Sequence, residues 1–281
     1  MTKHAVANGI QLAYETFGSS DGRPLLLIMG LGGQLIHWDD EFCALLAEQG
    51  HHVVRFDNRD AGLSTHLHEE GVPVLGTSSS YVLDDMADDV AGLMDALGWA
   101  AAHVAGASMG GMIAQTLAIR HPERVLTLTS IMAPPGPNVA SPTPEASAVL
   151  LAPPASDRAG VLAQSLKVWA VIGSPGYDLD RERILRMSGE AYDRSFDPPG
   201  TTRQLAAILA SGDRTERLGT LGVPALVIHG EADQLVPVAA GRATAAAIPG
   251  ATLLTFPGMG HDLPKALWPD IVGAITKLTT G

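Results

Sequence analysis

The stretch AHVAGASMGGMIAQTLAIR, residues 102–120, decides the fold. Ala102 to Ala105 is a short apolar run, Gly106-Ala-Ser108-Met-Gly110 is a turn, and Met112 to Arg120 has the pattern of a short buried helix. Strand, sharp turn and helix is the setting that a G-x-S-x-G motif requires. A serine at the apex of such a turn holds a strained backbone. The residues two before and two after it must be small, because neighbouring chain passes close by. Gly106 and Gly110 meet that demand, and Gly111 adds room. The Met109 N–H then lies at a helix N-terminus, aimed at a developing negative charge. The plain alternative is a glycine-rich turn with an incidental serine, and the strand–helix context argues against it.

Working outward, similar apolar runs recur at 25–29, 53–56, 126–131, 225–229 and 252–256, each followed by a turn signal. Runs this short and continuous suit strands covered on both faces. Helical patterns fall between them, at Asp40–Gln49, Leu83–Leu97 and Val238–Ala247. The alternation predicts a mostly parallel sheet with right-handed crossovers. Ala5 to Phe17, centred on Asn8-Gly9, predicts an antiparallel hairpin at the start. From Ala133 to about Arg217 the composition changes: prolines at 134, 135, 137, 142, 144, 153 and 154 interrupt the sheet pattern. Helical patterns then resume without strands at 162–172, 180–192 and 202–210. Residues 134–217 therefore read as a helical cap or lid inserted into an α/β core made of 1–133 and 218–281, since long strandless insertions in compact domains are usually functional.

Composition narrows the function. Hydrophobic residues make up 46% and charged residues 17% of 281, enough for a large core. Eighteen basic against 30 acidic residues give −12, which argues against a phosphate-backbone partner. The single cysteine, Cys43, excludes an internal disulfide and a thiolate metal cluster. The N-terminus has no apolar signal core, and the stretch 98–119, free of Asp, Glu, Lys and Arg, carries four glycines and several polar residues, a poor membrane span. A cytoplasmic protein is expected.

A serine hydroxyl needs a base, and the base needs an acid to fix its tautomer. His261 lies in Gly258-Met-Gly-His-Asp262, just after the last predicted strand, and Asp233 lies in a loop after the preceding one. The order Ser108, Asp233, His261 is that of the nucleophile-elbow hydrolases, with each residue where open parallel sheets place their sites. The loop Met29-Gly-Leu-Gly-Gly33 is expected to supply a second oxyanion donor, the Leu31 N–H, beside that of Met109. Gly30, Met132 and Trp169 are candidate pocket residues, as are Trp38 and Trp268.

The stretches LLLIMGLGG (25–33), RFDNRDAGLST (55–65), HVAGASMGGMIAQTLAIRHPERV (103–125), LVIHGEADQLVP (226–237) and FPGMGHDLP (256–264) together resemble the α/β-hydrolase fold superfamily. RFDNRDAGLST with GASMGG is similar to the aclacinomycin methylesterase-like branch of serine carboxylesterases. The resemblance implies an eight-stranded sheet, a helical cap after the sixth strand, and a catalytic serine, acid and histidine at Ser108, Asp233 and His261. Many members carry His-Gly at the oxyanion loop; this chain has Met29-Gly30, so that histidine's support is missing. Members that form alkyl-enzyme esters carry aspartate where this chain has Ser108. The expected reaction is hydrolysis of a carboxylic ester through an acyl-enzyme, with no cofactor and no metal. The expected partner is a small apolar ester, with no nucleic acid and no membrane, in a monomer or homodimer. The same residues also serve C–C bond hydrolysis, lactone hydrolysis, haloperoxidase or perhydrolase chemistry, or a slow ligand receptor.

Other clusters read as structural. His66-Leu-His68 with Glu69 and Glu70 lacks a further metal ligand at useful spacing. His51 and His52 read as surface and strand-edge residues. Asp84, Asp85, Asp88 and Asp89 suit a helix N-terminus and solvent. Asp57 and Arg59 read as an ion pair or turn, and Asp262 as a neighbour tuning His261 or a helix cap.

Overall fold

Asn8 and Gly9 both have positive φ, 48° and 80°, the backbone that a two-residue type I′ hairpin demands. They join β1 (Lys3–Ala7) to β2 (Ile10–Phe17) in antiparallel register, Ala7 opposite Ile10. The computed structural model describes residues 1–281. The remaining strands are β3 (Arg23–Ile28), β4 (His51–Phe56), β5 (Ala102–Ala107), β6 (Val125–Ile131), β7 (Ala225–Gly230) and β8 (Thr252–Phe256). They form one eight-stranded sheet in the order β1-β2-β4-β3-β5-β6-β7-β8. β2 runs antiparallel to β4, and β3 to β8 are mutually parallel.

The continuous apolar runs are explained by cover on both faces. Leu26 and Ile28 of β3 pack with α2 (Leu83–Ala96) and α3 (Met109–Arg120), through Leu83, Val90, Ile113 and Leu117. Leu25 and Leu27 point the other way, onto Phe42 and Leu46 of α1 (Asp40–Glu48) and Ile271 and Ile275 of α10 (Trp268–Thr280). Each such side chain contributes about 1.5–3 kcal/mol when fully buried. Between β6 and β7 the chain forms α4 (Pro144–Leu150), α5 (Arg158–Ile172), α6 (Arg181–Arg194), α7 (Pro198–Ala210) and α8 (Thr215–Leu218), and no strand; α9 (Val238–Ala247) links β7 to β8. No helix is long and apolar enough to cross a membrane.

Three expectations need correction. α4, α8 and α10 lie outside the helices read from sequence. In α4 and α10 a proline occupies the first turn, Pro144 behind the N-cap Thr143 and Pro269 behind Trp268, so Pro144, which interrupts the sheet pattern, opens a helix. His51 is not a surface residue: it is fully buried, its ring bridging the Leu46 carbonyl at 2.8 Å and the Thr279 hydroxyl at 2.7 Å. Asp89 does not face solvent: it is buried in a bidentate pair with Arg59, both bonds 2.6 Å. Asp84 and Asp88 do remain partly exposed, paired with Arg120.

Candidate active site

β5 ends at Ala107 and α3 begins at Met109, so Ser108 alone must turn the chain. It does so at φ 55°, ψ −120°, a strained conformation for a residue with a side chain. The glycines make the turn possible. A Cβ on Gly106 would lie 2.0 Å from the Gly110 carbonyl oxygen, and one on Gly110 would lie 2.1 Å from that of Ile28. Ser108 N–H donates to the Ile131 carbonyl at 2.8 Å, which pins the apex to β6.

The two loops that follow β7 and β8 bring their residues to this apex. The Ser108 hydroxyl lies 2.9 Å from Nε2 of His261, and Nδ1 of His261 lies 2.7 Å from Oδ2 of Asp233. The second carboxylate oxygen of Asp233 accepts the backbone N–H groups of Leu235 and Val236, at 2.9 and 2.8 Å. Asp233 and His261 are buried, while Ser108 is half-buried. The structure thus unites the three residues picked from sequence.

The β3 loop passes directly over the serine: a Cβ on Gly30 would lie 3.2 Å from that of Ser108. Leu31 follows it and lines the same cavity. Met109 is the first residue of α3, so its N–H has no partner within the helix. The cavity over Ser108 and His261 measures about 1180 Å³. Gly30, Met132 and Trp169 all line it, with Trp38, Met112 and Trp268.

The sequence profile of the alpha/beta hydrolase fold matches residues 23–264. The chain belongs to the α/β hydrolase fold family. It is 30% identical to rhodomycin D methylesterase of Streptomyces sp. strain C5, over 99% of this chain and 98% of that protein. It is 27% identical to a non-heme chloroperoxidase of Streptomyces lividans, over 96% and 97% of the two chains. Among solved structures, the enol-lactonase of Burkholderia xenovorans superposes with a TM-score of 0.79 at 26% identity, covering 99% of this chain and all of that one, 100%.

Several residues that support the site in this α/β hydrolase escaped the sequence reading. Asn58 donates through Nδ2 to the Met29 carbonyl at 2.9 Å, holding the loop whose usual histidine is absent. Gln204 of α7 accepts the Gly32 N–H at 2.8 Å and donates to the Arg59 carbonyl at 2.7 Å. Asp57 accepts Leu35 N–H at 2.6 Å and pairs with Arg194 of α6 at 3.0 Å, so Asp57 and Arg59 are structural but each has its own partner. His229 is fully buried and donates from Nε2 to the Val236 carbonyl at 2.7 Å, beneath the Asp233 loop. Burial lowers its pKa, the Val236 bond opposing, which keeps the ring neutral.

Asp262 neither caps a helix nor pairs with His261. Its Oδ1 accepts the hydroxyl of Ser174, which follows α5. Burial raises its pKa, with the Ser174 bond opposing. Ser174 Oγ also accepts the Gly260 N–H at 2.8 Å, and the His261 N–H donates to the Ile172 carbonyl at 2.7 Å. The end of α5 therefore grips the histidine loop on both sides of His261.

Proposed function

We propose that this chain is a serine hydrolase that cleaves a carboxylic ester through an acyl-enzyme. The observation that carries the reading is the continuous relay Ser108 Oγ–His261 Nε2, 2.9 Å, and His261 Nδ1–Asp233 Oδ2, 2.7 Å. His261 accepts the Ser108 proton as Oγ attacks the carbonyl carbon. Asp233 holds the tautomer with Nε2 unprotonated and stabilises the imidazolium that forms. The Leu31 and Met109 N–H groups receive the oxyanion. His261 returns its proton to the departing alkoxide, and the alcohol leaves. Water, deprotonated by His261, then attacks the acyl-enzyme and frees the acid and Ser108. One ester and one water yield one acid and one alcohol, and no step needs a metal or cofactor.

The relatives support the bond type: one is named a methylesterase, and a lactone, as in the named enol-lactonase, is an internal ester. The cavity supports a bulky substrate. Its volume of about 1180 Å³ exceeds the roughly 300–1,000 Å³ of common ligand pockets. Its Met and Trp lining favours an apolar acyl group. Residues 134–217, which hold α4 to α7 and most of α8, act in this reading as the cap that excludes water. Neither nucleic acid nor membrane takes part.

The test is hydrolysis of p-nitrophenyl esters from acetate to decanoate. Turnover is expected, with an optimum beyond acetate set by the apolar cavity. A folded protein that turns over none of these esters refutes the reading.

The grip of Ser174 gives a further expected outcome. Ser174→Ala removes the donor to Asp262 and the acceptor for Gly260 N–H, each bond worth about 1 kcal/mol. Ser174 touches no reacting atom, so it is a positioning residue. Its loss should lower kcat about tenfold through misplacement of His261 and leave KM nearly unchanged. Ser174→Thr, which keeps the hydroxyl, should recover most of the rate. A fall in Tm with kcat unchanged would reduce Ser174 to a structural role.

A further inference from the structure

A second cluster of titratable groups lies away from the triad. The chain after β4 carries His66 and His68, and Asp197 immediately precedes α7. Folding brings them together: Nδ1 of His66 lies 2.6 Å, and Nε2 of His68 3.1 Å, from the same oxygen of Asp197, Oδ2. The three ligand atoms all lie within 4.8 Å of one another. The two imidazoles stack at 5.3 Å with 30° between planes, so both present a ring nitrogen on one side.

The hydrogen bonding of His66 is what points to a cation. Its Nε2 faces the Gly62 carbonyl at 3.0 Å, an acceptor that requires a proton on that nitrogen. Ser195 Oγ lies 3.4 Å from the same nitrogen. Nδ1 of the neutral ring then carries a lone pair, and that lone pair faces a carboxylate oxygen. Two oxygens facing one neutral imidazole leave a position that only a proton or a metal ion fills. A metal-bound histidine nearly always has this arrangement, its other ring N–H donated to a carbonyl or carboxylate.

The neighbouring charges agree. Arg203 approaches Asp197 Oδ2 at 3.4 Å, but its guanidinium is already matched by a bidentate pair with Asp60, 2.9 and 2.7 Å. The shorter contacts to Asp197 Oδ2 are therefore those of the histidines, with Arg203 at the longer distance. His66 and Asp197 are largely buried, with 16% and 12% of their side chains exposed, whereas His68 is 68% exposed and can adjust. Both buried members line a cavity of about 470 Å³ that includes neither Ser108 nor His261, with space for a water on the ion.

We propose that His66, His68 and Asp197 form a site for a zinc-class divalent ion. Two imidazoles and one carboxylate are the donor set that such ions favour over magnesium or calcium, which prefer all-oxygen shells. Bonds of about 2.0–2.2 Å place ligand atoms roughly 3.3 Å apart, so insertion needs only a small opening of the cluster. The ion ties the β4 loop to the start of α7, across 131 residues of sequence. Its role is a staple between core and helical insertion, and no step of hydrolysis passes through it. The sequence around His66 and His68 offers no third ligand at useful spacing, because Asp197 is brought in only by the fold.

The experiment uses the full chain stripped with chelator, titrated with Zn²⁺ by calorimetry at a pH near 7.5, above the ordinary imidazole value of about 6.5. One equivalent should bind. At a hundredfold excess over Kd, Tm should rise on the order of 5 °C. Mg²⁺ should do neither. His68→Ala, at an exposed side chain, folds normally and should weaken Zn²⁺ binding by more than the roughly 10–100-fold that loss of an outer-shell partner costs. Asp197→Asn should do the same. His261→Ala should keep the full equivalent. Absence of saturable Zn²⁺ binding overturns the proposal. So does undiminished binding by His68→Ala, or loss of the equivalent in His261→Ala, which would place the ion at the triad.

Discussion

Ser108→Ala should reduce kcat for ester hydrolysis about 10⁶-fold, leaving only the roughly 10³–10⁴-fold rate over water that binding and the oxyanion donors supply, with the fold intact. The size of the loss follows from the geometry. The Ser108 hydroxyl lies in the cavity wall within 2.9 Å of His261 Nε2, and no second hydroxyl lies against that nitrogen in the hydrogen-bond network. Without it the proposed acyl-enzyme has no nucleophile to form on. In the proposed mechanism the N–H groups of Leu31 and Met109 then polarise the carbonyl only for attack by water. Stability should change little, since serine and alanine pay similar strain at φ 55°, and the serine side chain caps no helix. A serine-directed phosphonate offers an independent readout by mass spectrometry. The native chain should take up one adduct, located on Ser108, and Ser108→Ala none. An adduct elsewhere, or a variant retaining a tenth of native turnover, would refute the assignment. The same labelling separates this reading from the metal site, because stripping or adding Zn²⁺ at His66, His68 and Asp197 leaves the nucleophile itself in place.

The residues of this relay were legible because each is announced locally. Ser108 needs small neighbours two residues away on each side, and Gly106 and Gly110 are written next to it. Asp233 and His261 follow apolar runs that only buried parallel strands explain, and those runs are β7 and β8. The mostly parallel sheet, too, follows from the alternation of strands and helices, whereas the strand order appears only in the fold. What stayed hidden depends on partners distant in sequence. Ser174 meets Asp262 across 88 residues, and Gln204 meets Gly32 across 172. His51 reads as exposed because it opens a strand beside His52; it is buried because Thr279, 228 residues on, covers it. Asp89 reads as part of an acidic helix start until Arg59 is folded against it. Local pattern identifies which faces are apolar, but the pairing of polar groups across the core is a property of the assembled tertiary structure.

Asp233→Asn should lower kcat about 10⁴-fold while leaving substrate binding and fold nearly unchanged, and the reason is specific to how this carboxylate is held. Its Oδ1 accepts two backbone N–H groups, from Leu235 and Val236. An asparagine must therefore keep its carbonyl oxygen there, because turning the amide would set an NH₂ against two donors. That fixes the NH₂ group toward His261. A donor facing Nδ1 makes Nδ1 the acceptor and puts the ring proton on Nε2, where it points at Ser108. The imidazole is then the wrong tautomer to remove the serine proton. His229 does not compensate, since its Nε2 is committed to Val236 O at 2.7 Å and lies 3.6 Å from Asp233 Oδ2. The effect should fall on kcat and on the rate of phosphonate labelling alike, because both need a deprotonated serine, while KM changes little. Kinetics with a p-nitrophenyl ester, beside circular dichroism to establish folding, checks this. A folded Asp233→Asn protein within tenfold of native kcat would show that Asp233 is not what orients His261.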